Sequence, residues 1–179
     1  MSALSFLVKT PNRRIAWIAL GVIALDQLTK EIVLRVLGES PSLREKVVVD
    51  GFFKFVHWGN TGAAWSLFRG NNAVLAMIAF VALIVLFFSR HHFDAKTVLG
   101  QVAFGLICGG IVGNLIDRVR VGHVIDFLYF YIQPRGGSEH GFPAFNIADS
   151  AICTGVGLIF LLTLKNERSG KPAESAPAN

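Results

Sequence analysis

The sequence predicts an integral membrane protein, mainly α-helical, with four transmembrane helices, a small extracytoplasmic β-sheet and an interfacial loop or helix. Two observations carry this. Of the 179 residues, 53% are hydrophobic and 16% charged, with a mean hydropathy of +0.53; soluble domains carry about 25% charged residues. The apolar residues are also gathered into long runs. Residues 71–89 and 97–116 each proceed without a charge for about the 20 residues that a hydrocarbon core demands.

The last run, 145–164, is interrupted only by Asp149 near its start. The first, 15–37, contains Asp26, Lys30, Glu31 and Arg35. Asp26 and Lys30 stand four apart, as do Glu31 and Arg35, so each pair can meet on one helical face. Pairing makes such groups tolerable in lipid. Lys9, Arg13 and Arg14 ahead of an apolar stretch resemble a cleavable signal peptide. No small-x-small cleavage site follows, so a retained first span is expected.

Four spans and their connections use up the chain. The expected organisation is a cytoplasmic amino tail at 1–14, one membrane domain at 15–164 with outer loops at about 38–70 and 117–145, and a disordered tail at 165–179. The tails and the 90–96 connection hold eight Lys and Arg in 36 residues, against seven in 62 for the two loops. By the positive-inside rule both termini face the cytoplasm and the loops face the periplasm. The net charge of +5 is spread between apolar runs, which suits anionic membrane head groups and not nucleic acid. Cys108 and Cys153 lie in apolar runs without metal-ligand spacing and read as small apolar filler.

The first outer loop has strand chemistry. Residues 46–49 and 52–58 are rich in Val and Phe around Asp50-Gly51, a hairpin signal. Trp58, Trp65 and Phe68 are expected at head-group level, where amphipathic rings are favoured. Phe127, Tyr129, Phe130 and Tyr131 of the second loop should press against the same interface.

Asp117, Asp126 and Asp149 all fall at the outward ends of the third and fourth spans or in the loop between them. An apolar setting raises a carboxyl pKa, and two neighbouring carboxyls do not easily both ionise. One proton divided between Asp126 and Asp149 would suit water activation and peptide hydrolysis. Helix capping explains the same two residues as well. Asn114, Asp117 and Arg118 add an amide, an acid and a base to that face. Arg118 can pair with Asp117 or hold a substrate carbonyl. Asn60-Thr-Gly62 turns where the outer sheet meets the membrane. His123 could join Asp126 and Asp149 around a metal, but no His-Glu-x-x-His motif supports it. Ser150 lacks a nucleophile elbow, and no phosphate-cradling loop is present.

Taken together, Asp26-Gln-x-x-Lys30, Asn60-Thr-Gly-Ala-Ala64, Gly113-Asn-Leu-Ile-Asp-Arg118, Gly122-x-x-x-Asp126-Phe and Phe145-Asn-x-Ala-Asp149-Ser resemble the type II signal peptidases of bacteria. The resemblance runs from Leu25 to Leu164. It implies an aspartic endopeptidase of the inner membrane that cuts diacylglyceryl-modified prolipoproteins before the lipid-bearing cysteine. It further implies Asp126 and Asp149 as the catalytic pair, and Asn60, Gly62, Asn114, Arg118 and Asn146 as substrate-binding. Asp26, Lys30 and Asp117 would be structural or supporting. No metal, cofactor or covalent intermediate is expected, and a monomer is the expected state. Residues 133–141 are longer and more polar than the resemblance leads one to expect. Two other readings compete: a proton-coupled transporter, motivated by Asp26, Lys30 and Asp149 in apolar segments, and a scaffold whose outer sheet binds a partner.

Overall fold

The structure, a computed structural model, describes residues 11–38, 45–62, 70–89, 97–134 and 137–168. In chain order the elements are α1 (Pro11–Leu37), β1 (Lys46–Val49), β2 (Phe53–Asn60), α2 (Asn72–Ser89), α3 (Val98–Arg120), β3 (Val124–Ile132), β4 (His140–Gly141) and α4 (Ile147–Arg168). The expected helical fold with a small antiparallel sheet is present. Trp65, Phe68, the 90–96 connection and residues 169–179 lie outside the described residues.

Among the described residues, three helices are long and apolar enough to cross a membrane: α2, α3 and the Ile147–Lys165 portion of α4. The α2 helix shows why they need one. Met77, Phe80, Val85, Phe87 and Phe88 are each more than half exposed, a contiguous apolar surface that water does not tolerate. With 27 residues, α1 is about 40 Å long, but its charges set it apart from the other three.

The central helix is α3, packed against α1, α2 and α4. Hydrocarbon chains are as apolar as leucine, so helices associate in lipid through close backbone approach, which small residues permit. Gly105, Gly109 and Gly113 recur every fourth residue along the side facing α1. A Cβ at Gly105 would meet Ile18, one at Gly109 the carbonyl of Ala19, and one at Gly113 would stand 2.6 Å from Asp26 Oδ2. Gly110 meets the backbone of Ala148 on the α4 side in the same way. We expect Gly113→Ala to lower the thermal midpoint in detergent and to reduce activity at least tenfold. Gly157→Ala, with open space around it, should leave both unchanged. Equal behaviour of the two variants would refute this packing argument.

The third helix runs to Arg120, one turn beyond the expected span end at 116, so Asn114, Asp117 and Arg118 share its last turns as the sequence suggests. Thr97 closes its start, accepting the Gly100 N–H at 3.0 Å.

The sheet has the order β1-β2-β3-β4, every pair antiparallel. The hairpin forms where predicted, with Gly51 at φ 70°, a left-handed value that glycine adopts without strain. The segment expected as the second outer loop forms a strand: Val124–Ile132 is β3, paired along β2 from Phe53↔Phe130 to Asn60↔Val124. The Val, Ile, Phe and Tyr content that suggested interfacial rings is equally strand chemistry. Phe127, Tyr129 and Tyr131 are buried as a result.

Two contacts fix this sheet. His57 Nδ1 lies 2.9 Å from the Gly38 carbonyl at the end of α1. Burial holds its pKa below the usual value, so the neutral ring donates Nδ1–H there. Lys54, itself buried, reaches Glu45 at 2.7 Å and Glu139 at 2.9 Å. That second pair, with β4 on the edge of β3, ties down the polar 133–141 segment on either side of residues 135–136, which are outside the described set.

Candidate active site

Asp126 stands near the start of β3, and Asp149 in the first turn of α4. Their meeting is arranged by the backbone just ahead of α4. Phe145 accepts from the N–H groups of Phe127 and Leu128 and donates to the Leu128 carbonyl. This holds Asn146, with no exposed surface, against β3.

Asn146 touches both carboxylates. Its Nδ2 donates to Asp126 Oδ1 at 2.9 Å. Its backbone N–H donates to Asp149 Oδ2 at 3.2 Å, while its Oδ1 accepts from the Asp149 N–H at 2.9 Å. The last two form a reciprocal capping arrangement at the helix start. Capping and proximity to Asp126 are thus two properties of one geometry, and the two sequence readings of Asp149 do not exclude each other.

The remaining predicted residues complete a connected network. Asn60 Nδ2 donates to Asp126 Oδ2 at 3.0 Å, and Asn60 Oδ1 accepts from the Gly62 N–H at 2.9 Å. Asn114 Nδ2 donates to Asp149 Oδ1 at 2.7 Å, and Asn114 Oδ1 accepts from Lys30 at 3.2 Å. Lys30 lies 2.8 Å from Asp26 Oδ2 and 2.6 Å from Asp117 Oδ2. Asp26 Oδ1 in turn accepts the Ala148 N–H at 2.9 Å, and Asp117 Oδ2 the Ile125 N–H at 3.2 Å. These acids therefore hold the residues just ahead of Asp149 and Asp126.

Of the two partners open to Arg118, Asp117 is not the one it meets. Adjacent helical residues point about 100° apart, so Asp117 turns inward to Lys30 while Arg118 turns toward the first loop. There its Nη2 donates to the Gly62 carbonyl at 3.4 Å, and its Nη1 to the Asn114 carbonyl at 3.4 Å. Arg118 Nε is buried without a partner among the described residues. The guanidinium also sits in the field of Asp149 and Asp126.

Asp126 is 3% exposed. Burial first, then the charge of Asp149, pushes its carboxyl from 3.8 up to about 7, against the opposing hydrogen bonds from Asn60 and Asn146 and the charge of Lys30. Asp149 is only half-buried. One buried carboxyl that keeps its proton to neutrality, beside a less buried one, is a pairing able to polarise a carbonyl and deprotonate a water molecule together. His123 does not join them: among the described residues no three His, Cys, Asp or Glu side chains form a group able to hold a metal.

Residues 18–165 match the family model for signal peptidase (SPase) II. The chain belongs to the signal peptidase II family. It is similar to the lipoprotein signal peptidase of Dehalococcoides mccartyi (strain CBDB1), 41% identical over 162 residues that cover 88% of this chain and 92% of the relative. That of Geobacter metallireducens is 40% identical over 164 residues, covering 88% and 95%. A bacterial membrane enzyme solved by the in meso method at 2.3 Å resolution shares the fold with a TM-score of 0.72 at 31% identity, covering 91% of this chain and 94% of that one. Family membership makes the chain a membrane-embedded peptidase of the signal peptidase II type.

Two features of this signal peptidase II site escaped the sequence reading. Gln27, quoted within a motif but given no role, donates to Asp117 Oδ1 at 2.9 Å and approaches Asp26 Oδ2 at 3.2 Å. The glycine stripe on α3 was visible as a four-residue repeat, the signal that would have found it.

Proposed function

We propose that this chain is an aspartic endopeptidase that removes the signal peptide from diacylglyceryl-modified prolipoproteins, cutting just before the lipid-bearing cysteine. In this reading α1 joins α2, α3 and α4 as a fourth span. Both termini are cytoplasmic, and the carboxylate pair opens at the periplasmic face of the bacterial inner membrane. The enzyme acts as a monomer, without a cofactor. The observation that carries the proposal is Asn146, which contacts both Asp126 and Asp149 where α4 meets the sheet.

The substrate's acyl chains stay in the bilayer, so its scissile bond is presented at the interface. Asp149, as the carboxylate, takes a proton from water while the oxygen attacks the carbonyl carbon. Asp126 gives its proton to the carbonyl oxygen, so a neutral tetrahedral diol forms. Collapse returns a proton to Asp126, and the leaving nitrogen takes the one held by Asp149. Arg118, Asn60 and Asn114 bind the peptide backbone around the bond, with Gly62 allowing close approach. Asp26, Lys30 and Asp117 keep the support rigid.

The direct test is cleavage of a diacylglyceryl-modified prolipoprotein by the purified protein in lipid, with the unmodified precursor left intact. Failure to cut the modified form would overturn the proposal. The pH profile tests the mechanism. Asp126 must hold a proton, and that proton leaves as pH rises through about 7. Activity should therefore fall about tenfold per pH unit above neutrality. A rate still rising between pH 7 and 9 would exclude this role.

A further inference from the structure

A cavity lies against Phe127, the residue that follows Asp126. It measures about 220 Å³ and is lined by Thr29, Ile32, Val33, Val36, Leu37, Lys46, Phe55 and Phe127. Its walls are the outer turns of α1 and the strands β1 to β3. Thr29 adds no unmet polar group, because its hydroxyl already donates toward the Leu25 and Asp26 carbonyls at 2.8 and 2.9 Å. Lys46, exposed at the first position of β1, is the one charged residue on the lining, and it has no ion pair among the described residues.

We infer that this groove binds one acyl chain of an anionic glycerophospholipid, with the phosphate seated at Lys46. The inference rests on the reading above that places the carboxyl end of α1 at the periplasmic leaflet. Three observations select this occupant. The groove continues a face of α1 on which Leu25, Leu28, Ile32 and Val36 are half or more exposed, the face a bilayer would cover with hydrocarbon. The stretch from Thr29 to Leu37 spans about 12 Å of helix, and the volume is below the roughly 300 Å³ typical of pockets for bulkier ligands; the shape suits a slender chain. The single cation stands at the sheet end, where a head group would lie when its chain descends along α1.

The groove also bears on the reaction. Phe127 follows Asp126 in β3, and it packs with Val33 and Leu37 in a cluster to which Ile147, two residues before Asp149, also belongs. A chain filling the groove presses on the wall that carries both carboxylates. The lipid is thus a positioning ligand and takes no part in the chemistry.

The test uses the purified full-length protein, without substrate, exchanged into micelles holding equimolar phosphatidylglycerol and phosphatidylcholine and examined by native mass spectrometry. The wild type should retain one phosphatidylglycerol in about fivefold preference, the ratio that about 1 kcal/mol of lysine attraction to an anionic head group gives. Lys46→Glu should abolish the preference. Val36→Trp, which fills the groove from an exposed position, should abolish retention while keeping the wild-type circular dichroism and melting midpoint. Equal retention of the two lipids by the wild type, or retention unchanged in both variants, would overturn the inference. So would a Val36→Trp enzyme with a raised KM for lipidated substrate but undiminished phosphatidylglycerol retention, since the groove would then serve the substrate's own chains. Retention is measured without turnover, so it answers separately from the cleavage assay.

Discussion

Asp126→Asn and Asp149→Asn should each reduce signal-peptide release by three to four orders of magnitude while leaving the fold intact. Positioned acid or base groups contribute about 10²–10⁴ each, and here the two share one task, so losing either disables both; the double variant should be hardly worse than the singles. Asparagine retains the shape of aspartate but cannot exchange the proton. The Asp126 variant carries a second signature. A carboxyl whose folded-state pKa is raised stabilises the fold fully below its unfolded value of 3.8 and loses that contribution as pH rises to about 7. The shift corresponds to roughly 4 kcal/mol. The wild-type melting midpoint should therefore decline between pH 4 and 7, and Asp126→Asn should remove most of that decline. An active Asp126→Asn enzyme, or one whose midpoint follows the wild-type pH curve, would show that the residue does not hold the proton assigned to it.

Much of this arrangement was legible in the sequence because lipid leaves little choice. A chain without charges for 19 residues has few options besides a helix, and the α2 boundaries fall within one residue of the prediction. The Asp26–Lys30 pair was legible because four residues make slightly more than a helical turn, and the 2.8 Å contact follows. Asp126 and Asp149 could be placed at one face by counting spans. That they meet through Asn146 could not be, because the contact depends on Phe145 pairing with Leu128 across an isolated bridge, a long-range register that no local pattern encodes. The same holds for β3. Its residues carry strand propensity, but only the pairing with β2 separates a strand from an aromatic loop lying on a membrane. The sequence left two partners open for Arg118, and only the helix geometry, which turns its neighbour Asp117 another way, separates them.

Lys30→Met should be the most destabilising single substitution in the site, and its effect should be reversible by removing the charges it leaves behind. The Lys30 ammonium has three hydrogens and three acceptors, on Asp26, Asp117 and Asn114, in a place where it is 2% exposed and Asp26 not at all. Its donor capacity is fully used. Methionine preserves the length of the side chain but leaves two buried carboxylates facing each other without a cation, a loss of about 3–5 kcal/mol. Asn114 also loses one of the two donors that fix its amide, and this amide donates to Asp149 at 2.7 Å; activity should fall along with stability. Asp26→Asn and Asp117→Asn, added to Lys30→Met, should restore much of the melting midpoint, because a network without charges has no desolvation to offset. Activity should return less completely, since the hydrogen bond from Lys30 to Asn114 is still missing. If Lys30→Met alone melted like the wild type, the three charges would be hydrated and the network would not be the rigid support assigned to it. If the triple variant melted no higher than the single, the loss would lie in side-chain packing and not in unpaired charge.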